Sequence, residues 1–193
     1  MGRNKEFDYE QKLDAALELF WDKGYHVTSI TDLEKGMAIN RSSIYPTYGD
    51  KKELLIKCLT KYLRGKVAEY GAITGAADVD ASEDLRKMLR LAVDQSIQEG
   101  RSCLAVKMAF EISVNDEDIR RVLLTNEKKI EEIYFRILKK GQEKRVFKAD
   151  LNTKLTADFF AASSSALFKN YALNKNRKAI YDMIENLIDM VKM

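Results

Sequence analysis

Few residues in this 193-residue chain are of types and spacings that do chemistry. Cys58 and Cys103 lie 45 positions apart with no Cys-x-x-Cys pair, and His26 is the single histidine. Neither a zinc site nor a disulfide framework follows from that set, and no metal or cofactor is expected. Ser163-Ser164-Ser165 has no base partner and reads as small-residue helix packing. The sequence also has no phosphate-binding glycine loop and no carboxylate/histidine cluster, so it reads as no enzyme. What remains is charge. Residues 1 to 34 hold four Lys/Arg against eight Asp/Glu. Residues 35 to 66 hold eight Lys/Arg against only Asp50 and Glu53. A basic stripe after an acidic start is the pattern expected where one short stretch meets a polyanion; the competing explanation is a solvated helix face with chance clustering.

The elements that must position this stripe are helices. One proline, Pro46, stands where about ten would be ordinary at ~5% usage, and glycine is also sparse at nine. Strands and long loops need these residues as punctuation, so an all-α fold is predicted. Apolar residues make up 46% and charged residues 33%, enough for a core beneath amphipathic faces. No apolar run approaches the ~20 residues that span a bilayer, and MGRNKEFDYEQ lacks the apolar core of a signal peptide, so a soluble, cytoplasmic protein is expected.

Leu13, Ala16, Leu17, Phe20 and Trp21 form one stripe of a helix from Tyr9 to Lys23, ended by Gly24. Thr28 or Ser29 caps a second helix carrying Ile30 and Leu33 to about Met37. Asn40 has the character of a cap for a third beginning at Arg41. Asp50 and Glu53 have capping-box spacing for a fourth, Lys51 to about Tyr70. Residues 71 to 81 read as the longest loop. Further helices are predicted from Ser82 to Gln98, Cys103 to Ile112, Asn115 to about Arg145, Asn152 or Thr153 to about Leu173, and Arg177 to Met193. That makes about nine in all.

Three short helices, the second and third joined by a turn of about four residues, match the helix-turn-helix plan. The segment ALELFWDKGYHVTSITDLEKGMAINRSSIYPTYGDKKELL resembles the DNA-binding region of the tetracycline-repressor (TetR/AcrR) family of bacterial transcription regulators. The likeness is carried by Ala16, Leu19-Phe20, Gly24-Tyr25, Thr28-Ser29-Ile30, Leu33, Ile39-Asn40, Ile44-Tyr45, Tyr48 and Gly49-Asp50-Lys51-Lys52-Glu53-Leu54. Gly100-Arg101-Ser102-Cys103-Leu104-Ala105-Val106 looks like a segment found in one subgroup. The resemblance implies a helix-turn-helix domain over residues 1–50 and a ligand-binding and dimerisation domain over 51–193, with the helix 51–70 connecting them.

On this resemblance, Arg41, Ser42 and Ser43 occupy the first turn of the helix that enters the major groove, where Arg41 would donate to guanine O6/N7. Thr28, Tyr45, Tyr48 and Lys51 would hold phosphates and set register, and Arg3 and Lys5 would follow the backbone from an arm. Tyr48 also has the character of a core aromatic. Pro46 departs from the family pattern; it removes an N–H and crowds the Ser42 carbonyl, so the recognition helix is expected to be short, kinked or tightened near Tyr45.

The C-terminal helices would enclose an effector pocket, with Met88, Phe110, Tyr134 and Cys103 as candidates for a small hydrophobic or electrophilic molecule. Cys103 follows Arg101 at a helix start, where thiolate is favoured, although a free cysteine is more often a small buried hydrophobe. The last two helices would form a homodimer interface through Phe160, Leu167, Ile180, Ile184, Leu187 and Ile188. Two copies would then meet a palindromic double-stranded operator. A ligand-responsive regulator, most often a repressor, is the function implied; a helical protein-binding adaptor is the alternative.

Overall fold

The computed structural model describes residues 7–74 and 80–193. Among them nine helices form: α1 (Tyr9–Lys23), α2 (Ile30–Met37), α3 (Arg41–Tyr48), α4 (Lys51–Ile73), α5 (Ala81–Glu99), α6 (Leu104–Glu111), α7 (Glu117–Glu143), α8 (Thr153–Asn174) and α9 (Arg177–Asp189). The only β pairing described is an isolated antiparallel bridge between Phe147 and Lys192. The expected arm with Arg3 and Lys5, and residues 75–79 of the expected loop, lie outside the described residues. None of the described helices is long and apolar enough to cross a membrane.

Several helix ends differ from expectation, each for a local reason. Helix α4 continues to Ile73, through part of the stretch expected as loop. Asp80, not Ser82, caps α5 by accepting the Ser82 N–H at 3.1 Å, while Ser82 itself is buried with its hydroxyl unpartnered. Asp116 caps α7 by accepting from Asp118 and Ile119. Helix α9 stops at Asp189, and the residues after it turn back to bond the 146–148 segment: Lys148 N–H donates to Val191 and Met193 N–H to Val146.

The chain divides into two compact units. The first takes the described residues up to Arg64 together with Leu104–Leu123. Its core joins Leu13, Phe20, Leu33, Met37, Ile44, Tyr48, Leu54 and Leu59 to Leu104, Met108, Ile112 and Ile119. Each large side chain buried this way stabilises the fold by about 1.5–3 kcal/mol. The second unit takes Gly65–Cys103 and Leu124–Met193. Here α5, α7, α8 and α9 interdigitate through Leu85, Met88, Tyr134, Ile137, Phe160, Leu167, Ile180 and Ile184.

That second core corrects the expected dimer surface. Phe160, Leu167, Ile180, Ile184 and Ile188 are buried within a single chain, and only Leu187 is partly accessible. A broad apolar face can be consumed by a protein's own core as readily as by a partner.

Candidate nucleic-acid interface

The segment α2–turn–α3 is pinned from beneath and open above. Ser29 caps α2 reciprocally with Asp32, whose carboxylate also takes the Lys23 ammonium at 2.6 Å. At the other end Ala38 adopts a left-handed conformation (φ 50°, ψ 44°) and reverses the chain. Asn40 has the extended backbone of a cap but makes no side-chain cap hydrogen bond. That role falls to Glu34, which accepts the Arg41 N–H at 2.6 Å. Ile44 and Tyr48 anchor α3 in the core, leaving Arg41, Ser42, Tyr45 and Pro46 exposed and Ser43 half-buried. The helix is short, as expected, at eight residues, but Pro46 lies inside it: α3 continues to Tyr48, and Gly49 closes it by donating to the Tyr45 carbonyl at 3.0 Å. The missing proline N–H leaves the Ser42 carbonyl without its usual i+4 donor.

Two residues expected at phosphates are interior instead. Thr28 is buried and donates its hydroxyl to the Gly24 carbonyl at 2.6 Å. Tyr48 is buried, stacks on Tyr9 with ring centroids 4.7 Å apart, and donates its hydroxyl to the Tyr9 carbonyl at 2.9 Å. Burial first, then the charge of neighbouring groups, pushes the Tyr48 phenol up to about 12. Lys51 is half-buried with its ammonium 4.4 Å from the Tyr25 ring centroid. Much of the basic stripe is engaged by the first unit itself: Lys57 donates to the Tyr48 carbonyl, while Lys61 bridges Glu10 and Asp14 and Lys52 bridges Asp116 and Asp118 in part-exposed surface ion pairs. Arg41 and Tyr45 remain outward.

In the second unit, Met88 and Tyr134 share the core, and the Tyr134 hydroxyl meets Ser164 at 2.8 Å. Burial is the main cause that raises the phenols of both Tyr134 and Tyr70, with a smaller contribution at Tyr70 from Cys103. Phe110 is not part of this core: it belongs to the first unit and is 84% exposed. A recess of about 50 Å³ in the second unit is bounded by Ser96, Arg101, Ser102, Phe168, Tyr171 and Lys175, without Cys103 in its lining. A wider, open groove of about 430 Å³ runs beside Lys128, Phe135, Lys154 and Asp158. Cys58 is buried with its thiol pushed up by desolvation, and no group of three His, Cys, Asp or Glu among the described residues is arranged to hold a metal.

Residues 13–58 match the family described as bacterial regulatory proteins, tetR family. The chain is 31% identical over 147 residues, 74% of each protein, to the HTH-type transcriptional regulator YezE of Bacillus subtilis. It belongs to the tetR family. As a member it is a helix-turn-helix, DNA-binding transcriptional regulator. Two solved structures share its fold. A cysteine mutant of the TetR family regulator CifR, complexed with 26-bp operator DNA, matches with a TM-score of 0.84 at 23% identity over 98% of this chain and all of that one. FadR of Bacillus subtilis in complex with stearoyl-CoA matches at 0.77 and 15% identity, over 95% of this chain and 97% of that one.

The helix that begins at Arg41 is legible in the sequence, but the capping by Glu34 is not. Its signal was an acid seven residues ahead of Arg41, at a spacing meaningful only once the turn folds α2 back on α3. The partners of Lys52, Lys57 and Lys61 are not legible in the sequence, because they lie on α1, at the end of α3 and at the start of α7.

Proposed function

We propose that the protein is a repressor that binds a two-fold-related DNA site as a homodimer and is released by a small hydrophobic or electrophilic effector. The observation that carries this reading is α3 itself, held from below by Ile44 and Tyr48, with Arg41, Ser42 and Tyr45 facing outward. Residues 1–50 present that helix, Arg41 to a guanine edge and Ser42, Ser43 and Tyr45 to bases or phosphates. Thr28 and Tyr48 support it from inside. Lys51 reaches a phosphate by swinging off Tyr25 on its flexible stem.

Residues 51–193 supply pairing and effector response. The dimer surface is the outer stripe of α8, Leu155, Phe159, Ala162, Ala166 and Leu173, beside Met183, Leu187 and Met190 of the α9 segment. These positions recur at intervals of three, four or seven residues, which keeps them on one side of each helix, and the two alanines allow close helix approach. The effector region is the part of the second unit where Tyr70 packs against the core that holds Met88 and Tyr134, with Cys103 in the same unit. An effector acts only by binding the released conformation more tightly than the DNA-bound one.

Fluorescence anisotropy with duplex from upstream of the protein's own gene tests the reading. Affinity should fall steeply with salt, and Arg41→Ala should relax choice at one base pair per half-site. Absence of any salt-dependent binding to duplex would favour a protein-binding adaptor.

A further inference from the structure

Glu34 stands in an odd place for a protein that meets a polyanion. It lies on α2 with its side chain 30% exposed, against 54% for Arg41. A carboxylate there repels every DNA backbone alike. The structure shows what it does in return. Oε1 accepts the backbone N–H of Arg41 at 2.6 Å, and Oε2 stands 3.9 Å from the guanidinium Nε of the same residue. One side chain thus caps the start of α3 and sets its charge on the Nε side of the same arginine, and Asn40 does not share the capping.

A guanidinium offers a Nε edge and a fork of two terminal nitrogens, and the fork matches guanine O6 and N7. We infer that Glu34 is a specificity-determining positioning residue. It leans on the Nε edge of Arg41, leaves the fork free for a guanine, and keeps the arginine from settling on whichever phosphate is nearest. It lowers affinity for all DNA while sharpening the choice of base. This rests on the reading of Arg41 as a base contact.

The test uses the full-length protein and a duplex pool with a randomised centre, sequenced after selection, together with salt-titrated anisotropy on one scrambled duplex. Glu34→Gln keeps an oxygen for the Arg41 N–H and removes only the charge; Glu34→Ala removes both. Both variants should bind the scrambled duplex about fivefold more tightly, the scale of one exposed ion pair. Both should also lose about tenfold in preference at the base position whose preference Arg41→Ala abolishes. In Arg41→Ala, adding Glu34→Ala should cost no further preference. If Arg41→Ala leaves the enriched sequence unchanged, the base-reading assignment itself is overturned. If Arg41→Ala erases the preference while Glu34→Gln keeps it in full, the role of Glu34 alone is overturned. Should Glu34→Ala melt well below wild type, Glu34→Gln decides.

Discussion

Ala38 holds a conformation that L-residues with a Cβ avoid. A left-handed residue costs roughly 1–2 kcal/mol without glycine, of which glycine returns part as unfolded-state entropy. Ala38→Gly should therefore stabilise the protein by about 0.5–1 kcal/mol in urea unfolding. Asp32 makes a pH prediction. The Lys23 ammonium, with the Ser29 hydroxyl and N–H, holds its carboxyl well below the usual range. A depressed folded-state pKa adds stability that is present above the unfolded value and is lost as pH falls through the folded one. Wild type should thus melt above Asp32→Asn at pH ~6, and the two should converge as pH drops below about 4. An unchanged gap at low pH would remove the assignment. Tyr48→Phe deletes the bond to the Tyr9 carbonyl and should cost about 1 kcal/mol. It should leave the salt slope of DNA binding intact, whereas a phosphate contact would lower that slope.

At the scale of elements, what was legible depended on whether the signal was local. Helix α1 could be read end to end, because Leu13 to Trp21 form its stripe and Gly24 stops it within one stretch. The Asp50/Glu53 capping box was equally local and is formed on both sides. The facing of α8 and α9 was not local. Each helix has an apolar stripe on its inner side and a second on its outer side, and only the packing of α5 and α7 decides which is consumed. Gly141 in α7 gives a prediction of this kind. Alanine in a helix normally gains up to about 1 kcal/mol over glycine. Here its Cβ would lie 2.1 Å from the Phe147 ring and 3.0 Å from Ala81. Overpacking of that sort costs about 1–3 kcal/mol, so Gly141→Ala should lower the urea midpoint despite its propensity.

For the whole molecule, net charge was a poor guide to the DNA face and the exposed stripes are a better guide to assembly. The +3 total conceals lysines already held in surface ion pairs of the first unit. Phe159, 52% exposed on α8, is the aromatic of the outer stripe. Phe159→Glu should shift light-scattering mass from dimer toward monomer with little change in melting of the isolated chain's core, while Phe160→Glu should unfold it. A dimer mass unchanged by Phe159→Glu would move the interface elsewhere.

The first unit is also discontinuous: Leu104, Met108, Ile112 and Ile119 complete a core begun by residues before Arg64. Synthesis therefore leaves the core that Leu17, Trp21 and Leu59 belong to incomplete until the chain has grown by the stretch from Arg64 to Leu123. At about 5–20 residues per second that interval is roughly 3–12 s. During it the nascent DNA-binding half carries an open apolar surface whose lifetime is set by the ribosome. Its need for chaperone cover should lengthen where translation slows between those two points.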